Sequence, residues 1–295
     1  MRANNIKTKI CAIAGMPRAA TTFLYHTLAL HPEIFVPSRK ELEFFSINYN
    51  RGESWYLDFF KEMKNNDVGF DISPMYFFAT SVPQRMLAFN PKIKVILLIR
   101  DPIEFIISFF KNRQATTYKS LNFETFLKAF EYEKDGTSLS IRFDQNIIKN
   151  RILDYVNAFG DNLLLGDFNA FATDPLSLLK AIEKHIEVSE YFQQGNFENI
   201  KINASDQRGF KVINKLMHQK LFADIVAKLF PKALIMNVRY RLQSGSSPEK
   251  TNHNSNEYSL YRQEMISQFQ NDTDFINMIF KDHSYINANQ IDSIH

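Results

Sequence analysis

The chain has 295 residues, of which nine are glycine and one is cysteine. With 35 basic against 32 acidic side chains, its formal net charge of +3 is too small to argue for a nucleic-acid partner. The glycines stand at 15, 52, 69, 136, 160, 166, 195, 209 and 245. No two are separated by a single residue, which excludes the dinucleotide fingerprint, the kinase glycine loop and the G-x-S-x-G nucleophile elbow.

In chain order, Lys9 to Ala14 is a short apolar run ending at Gly15, and it predicts a buried strand. From Thr21 the apolar positions Phe23, Leu24, Leu28 and Leu30 follow a helical period, and Pro32 stops the helix at His31. The second unit is sharper. Lys94-Val95-Ile96-Leu97-Leu98-Ile99 predicts a strand buried on both faces, after which Asp101 caps a helix with Pro102 at its first position. The region from Asn112 to Ile152 reads as mostly helical. Asn162 to Asp167 predicts a third strand, leading through Thr173-Asp174-Pro175 into an amphipathic helix over Leu176 to Ile186. Residues 243–256 form a polar loop, and a last helical stretch runs from Tyr258 to about Asp282. Strands alternating with helices predict an α/β fold in which a central parallel sheet is flanked by helices. No repeat or linker divides the chain, so 1–295 is read as a single domain. It carries helical insertions at about 112–152 and a helical C-terminal region at about 189–295.

Three segments carry candidate chemistry. Gly15-Met16-Pro17-Arg18-Ala19-Ala20-Thr21-Thr22 joins a buried strand to a helix N-terminus, where free N–H groups and the helix dipole attract anions. A triphosphate-binding loop would place Gly at Ala20 and Lys at Thr21, and only Thr22 fits that pattern. The same residues also suit a solvated strand–helix turn, and both readings stand. Arg39-Lys40-Glu41-Leu42-Glu43-Phe44-Phe45 pairs acids with bases beside aromatics. In an extended segment Glu41 and Glu43 point to one side, and a carboxylate against Phe44 and Phe45 is desolvated, which raises its pKa toward that of a general base. A charged surface turn is the alternative. Arg100 closes the second strand with Ser108 two turns along the next helix, so the two could share one phosphate. Pairing of Arg100 with Asp101 or Glu104 is the other option.

Taken in order, these segments resemble sulfotransferases that use 3′-phosphoadenosine 5′-phosphosulfate (PAPS), most closely the heparan-sulfate and related carbohydrate branch and soluble bacterial relatives. The matching stretches are G-M-P-R-A-A-T-T-F-L (from Gly15), K-E-L-E-F-F (Lys40 to Phe45), D-I-S-P-M-Y-F (Asp71 to Phe77) and V-I-L-L-I-R-D-P-I-E-F-I-I-S-F-F (Val95 to Phe110). A later strand–turn–helix, Leu163 to Ile186, also matches. The resemblance implies a P-loop-like sheet and transfer of a sulfuryl group to a hydroxyl of a sugar, glycolipid or other small alcohol. It implies that Gly15, Pro17, Ala19, Ala20, Thr21 and Thr22 cradle the 5′-phosphosulfate, with Arg18 stabilising charge on the leaving group. It assigns Arg100 and Ser108 to the 3′-phosphate, Glu41 to the general base, and Lys40, Glu43 and Tyr76 to the acceptor side. Lys250, with Ser246 and Ser247, is the candidate for a C-terminal donor contact.

Departures from the pattern are specific. Ile72 stands where carbohydrate-branch members often carry Lys, which makes Lys40 a candidate replacement, and Ala19-Ala20 replaces a Gly- or Ser-containing pair. Ala at either position would strain any backbone needing φ > 0. Lys111, Arg113 and Lys119 form a modest basic stripe that suits an acceptor groove or a solvated helix face. The donor is expected as co-substrate with no metal, since the seven histidines show no H-x-H or H-x-x-x-H spacing. A P-loop nucleotide kinase, or a non-catalytic adenine-nucleotide binding protein, is the alternative function.

Localisation rests on coarser signals. A single cysteine, Cys11, makes no intrachain disulfide. The longest aliphatic run, Val95 to Ile99, is far too short to span a membrane, and the polar start Met1 to Asn5 does not read as a signal peptide. The expectation is a cytoplasmic protein without a transmembrane segment.

Overall fold

The computed structural model describes residues 6–193, apart from 117, 119 and 135, and residues 257–291, apart from 288 and 289. Six strands form one sheet in the order β2-β3-β1-β4-β7-β8. They are β1 (Ile10–Gly15), β2 (Ile34–Phe35), β3 (Val68–Ile72), β4 (Lys94–Ile99), β7 (Leu163–Asp167) and β8 (Tyr285–Asn287). All neighbours run parallel except β7 and β8. The aliphatic runs explain the centre: all six residues of β1 are buried, as are Val95 to Ile99 of β4. Strands this apolar require cover on both faces.

The helices supply that cover. They are α1 (Thr21–Leu28), α2 (Gly52–Asp58), α3 (Val82–Phe89), α4 (Pro102–Thr116), α5 (Phe123–Lys128), α6 (Ile147–Phe159), α7 (Phe168–Thr173), α8 (Pro175–Ile186), α9 (Glu257–Gln268) and α10 (Gln270–Ile279). The predicted cap at Asp101 forms, and Asp174 caps α8 in the same way. The Asp101 carboxylate accepts from the Glu104 N–H at 2.8 Å, and that of Asp174 accepts from the Ser177 N–H at 3.3 Å. The expected final helical stretch is present as α9 and α10.

Two elements differ from expectation. Within 112–152, α5 is followed by an antiparallel hairpin of β5 (Phe130–Lys134) and β6 (Thr137–Ile141). Its first strand buries Phe130 and Tyr132 and exposes Glu131 and Glu133, a two-residue period, and Gly136 at φ +79° makes the turn. At the sheet edge, β8 pairs Tyr285, Ile286 and Asn287 with Gly166, Leu165 and Leu164. Three residues are too few for a pattern, so only the exposed edge of β7 makes them a strand.

Every β–α connection that bears a motif leaves the carboxyl end of the parallel strands. That edge gathers Gly15 from β1, Ser73 after β3, and Arg100 after β4, and it is where open α/β sheets bind ligands.

Candidate active site

The loop after β1 is held from below. The Met16 N–H donates to Leu98 O at 2.8 Å, tying the loop to β4, and the Ala19 N–H returns to Met16 O at 3.2 Å. Gly15 is required by contact: a Cβ there would lie 2.7 Å from Phe77 Cβ. The backbone then turns through left-handed positions at Arg18 (φ 63°) and Ala20 (φ 57°). Ala20 thus occupies the strained conformation anticipated from its sequence. No side chain caps α1, whose first N–H groups remain available to an anion.

Arg18 and Arg100 meet at this loop. An Arg100 Nη1–H donates to Arg18 O at 3.1 Å, and the Arg18 Nε–H donates to Ser108 Oγ at 3.2 Å. Arg18 therefore links the end of β4 to the second turn of α4. Partial burial, then the like charges of Arg100 and Arg113, pull the Arg18 pKa below its ordinary value. Among the described residues no carboxylate lies within ion-pair distance of Arg18 or Arg100. Positive charge gathered beside an open helix N-terminus is chemistry that suits an anion.

The segment Lys40–Phe45 crosses the loop because its apolar members are pinned. Leu42, Phe44 and Phe45 are buried, and the Phe44 ring stacks on Tyr56 with centroids 4.3 Å apart. Lys40 Nζ donates to Thr22 Oγ1 at 2.8 Å and lies 3.3 Å from Glu41 Oε1. Lys40 is thus bracketed between the loop and the expected base.

The prediction that Glu41 and Glu43 share one face is overturned. Both residues are left-handed, at φ 60° and 52°, so extended alternation does not apply. Glu41 stays partly exposed at the site, whereas Glu43 is fully buried. Their acidities part as well. Burial pushes Glu41 up, but Lys40, Lys134 and Arg113 outweigh it and hold the carboxyl below its ordinary value. The expected rise of a desolvated carboxylate falls on Glu43, which burial and then the charge of Glu41 raise to about 8. Glu43 Oε2 accepts from Ser46 Oγ at 2.7 Å, and Oε1 has no hydrogen-bond partner.

The acceptor-side expectation for Tyr76 and Glu43 is likewise corrected. Tyr76 is fully buried. Its hydroxyl donates to Asp71 Oδ2 at 2.7 Å and accepts from the Phe45 N–H at 3.1 Å. Asp71 also accepts from Tyr56 (3.1 Å) and Ser73 (2.7 Å), and the Ser73 oxygen accepts from the Glu43 N–H at 3.0 Å. The D-I-S-P-M-Y motif is a buried brace under the Lys40–Phe45 segment, and Ile72 is buried within it.

Two cations were not assigned to this site from sequence. Lys134, at the end of β5, donates to Glu41 O at 2.7 Å and has its Nζ 4.0 Å from Glu41 Oε2. The F-E-Y-E-K alternation before Asp135-Gly136 was the available signal. Arg113, read as part of a stripe, instead lies over the Phe109 and Tyr132 rings, and its charge acts on both Arg18 and Glu41. Lys119, Ser246, Ser247 and Lys250 lie outside the described residues. Among the described residues, no group of three or more His, Cys, Asp or Glu side chains is placed to hold a metal ion. No described helix is long and apolar enough to cross a membrane.

The sulfotransferase domain profile matches residues 9–159, which span β1, the loop, Glu41, β4 and α4. The chain belongs to the sulfotransferase domain family. It is 27% identical over 214 residues to human bifunctional heparan sulfate N-deacetylase/N-sulfotransferase 2, covering 67% of this chain and 24% of that protein. Over 231 residues it is 25% identical to human heparan sulfate glucosamine 3-O-sulfotransferase 5, covering 75% of this chain and 64% of that one. The chain therefore spans about a quarter of the first relative's length and under two thirds of the second's. Among solved structures, a sulfotransferase from Alicyclobacillus acidocaldarius shares the fold. Its TM-score is 0.52 at 20% identity, covering 79% of this chain and 98% of that one. The loop, Glu41, Arg100 and Ser108 all lie within the matched span.

Proposed function

We propose that the protein transfers a sulfuryl group from PAPS to a hydroxyl of a sugar, glycolipid or other small alcohol. The observation that carries this reading is the joining of Arg18, Arg100 and Ser108 at an uncapped helix N-terminus, with an ionised carboxylate, Glu41, beside it. The arrangement fits a donor with two separate anionic ends. Gly15, Pro17, Ala19 and Ala20 shape the turn, and the α1 N–H groups with Thr21 and Thr22 take the 5′ end. Arg100 and Ser108 take the 3′-phosphate.

The bound donor supplies the electrophilic sulfur and a bisphosphate leaving group. Glu41 accepts the proton of the acceptor hydroxyl as its oxygen bonds to sulfur and the sulfur–oxygen bond of the donor breaks. Arg18 stabilises charge on the departing oxygen, because a guanidinium holds charge well and gives up protons poorly. Lys40 spans Thr22 and Glu41, the position a replacement for the lysine missing at Ile72 would need. Positioning and charge stabilisation provide the acceleration, as in phosphoryl transfer.

The test is ligand-dependent melting. Adenosine 3′,5′-bisphosphate raises Tm well above the value with AMP, and Arg100→Ala erases the difference. Equal shifts with both ligands in the wild type would overturn the reading.

A further inference from the structure

Arg100 reaches the donor loop with no acid paired to it. Its Nη1–H donates to Arg18 O at 3.1 Å, and the nearby Arg18 guanidinium repels it. The two acids beside it in sequence are directed elsewhere. Asp101 accepts from the Glu104 N–H at 2.8 Å, and Glu104 lies 3.7 Å from Arg262. What meets the Arg100 charge is a ring: its Cζ lies over Phe168, 4.9 Å from the centroid. That is within the reach of ~6 Å for a cation–π contact.

Register brings the two together. Strands β4 and β7 run parallel with Ile99 beside Asp167, so the next residues, Arg100 and Phe168, leave the sheet as neighbours. Asp167 fixes the exit of Phe168, because its Oδ1 accepts from the Asn169 N–H at 2.9 Å and caps α7. The ring is also backed. Phe168 and Phe171 have centroids 5.9 Å apart, and Phe171 and Phe23 5.4 Å. Phe171 and Phe23 are buried, and Phe23 stands in the first turn of α1. An aromatic stack therefore runs from the donor-loop helix to Arg100.

A ring has a different consequence from an acid. A carboxylate at this place would neutralise the guanidinium, occupy its N–H groups and repel an incoming phosphate. The quadrupole of a ring attracts the cation and leaves its charge in place. Holding the group before the ligand arrives also lowers the ordering cost of binding.

We propose that Phe168 is a positioning residue for donor recognition, holding the Arg100 guanidinium where the 3′-phosphate binds without neutralising it. The proposal rests on the sulfuryl-transfer reading and makes discrimination for the 3′-phosphate depend on a residue that does not itself bond to it.

The experiment titrates adenosine 3′,5′-bisphosphate and AMP into the full chain by calorimetry. The proteins are wild type, Phe168→Leu and Phe168→Tyr, and Phe168→Leu combined with Arg100→Ala. Leucine keeps apolar packing on Phe171 and removes the quadrupole, whereas tyrosine keeps both. In Phe168→Leu the preference for the bisphosphate over AMP falls about threefold or more, with AMP affinity unchanged. Phe168→Tyr restores the preference. Added to Arg100→Ala, Phe168→Leu changes nothing further, because the ring acts through that guanidinium alone. A preference in Phe168→Leu within about twofold of wild type overturns the assignment. So does equal loss of both ligands, which is what a purely packing role would produce. A wild type with no preference for the bisphosphate would overturn the sulfuryl-transfer reading instead, so the two failures are distinct.

Discussion

Gly15 joins the stability of the fold to the donor loop, and Gly15→Ala separates the two quantitatively. The added methyl would stand 2.7 Å from Phe77 Cβ, with Phe77 Cδ2 and Cγ at 3.0 and 3.1 Å. Phe77 Cβ is one bond from the backbone of a buried 3₁₀ turn, so it cannot swing aside as a chain end could. Relief requires β1 or that turn to shift by several tenths of an ångström. Overpacking of this kind costs about 1–3 kcal/mol, and the rigid neighbour puts Gly15→Ala near the upper end. At about 3 kcal/mol the expected fall in Tm is roughly 6–12 °C. Because Met16 is bonded to Leu98 O, the shift carries into the loop that holds Arg18. Bisphosphate affinity should therefore fall by about tenfold or more. Gly166→Ala is the control: its methyl would meet Leu98 Cδ2 at 2.7 Å and Tyr285 Cδ1 at 3.1 Å, outer atoms of side chains rather than a Cβ fixed to the backbone. It should lower Tm less and leave affinity intact. Scanning calorimetry and titration with adenosine 3′,5′-bisphosphate measure both quantities. An unchanged Tm for Gly15→Ala would refute the packing argument, and a lowered Tm with full affinity would refute the loop as donor site.

Two further outcomes follow from the carboxylates. The Glu43 pKa of about 8 lies above its ordinary 4.5, so the folded chain keeps a proton that the unfolded chain releases. Its contribution to stability is full below about pH 4.5 and is lost as pH rises through about 8. Glu43→Gln removes the titration, so its Tm relative to wild type should climb steadily from pH 5 to 8, and parallel Tm curves would contradict the assignment. Lys134 holds Glu41 in its ionised form from 4.0 Å, an interaction of about 1 kcal/mol in water-like surroundings. In Lys134→Met the Glu41 pKa rises, and the acidic limb of the transfer rate moves to higher pH. Lys134→Arg restores the limb, bisphosphate affinity is unchanged in both variants, and a limb that stays in place would remove Lys134 from the site.

What the sequence determined was local and consecutive. Five aliphatic residues in a row, Val95 to Ile99, closed by Arg100-Asp101-Pro102, read as a strand covered on both faces. Asp101-Pro102 and Asp174-Pro175 start helices because cap and ring geometry depend on neighbours alone. The loop was legible for the same reason, since Gly15, Arg18 and the paired threonines stand in one short stretch. What only the tertiary structure decided was which way each acid faces and which distant cation meets it. Glu41 and Glu43 are two residues apart, yet left-handed backbone at both, set by the buried Phe44–Tyr56 and Asp71–Tyr76 contacts, sends one into the site and the other into the core. Lys134 reaches Glu41 across 93 residues of chain, brought there by a hairpin whose register, not its composition, aims the ammonium. The nine glycines and the net charge of +3 excluded whole classes of protein. The placing of a few cations around one carboxylate is a property of the fold, because charge acts through space and not along the sequence.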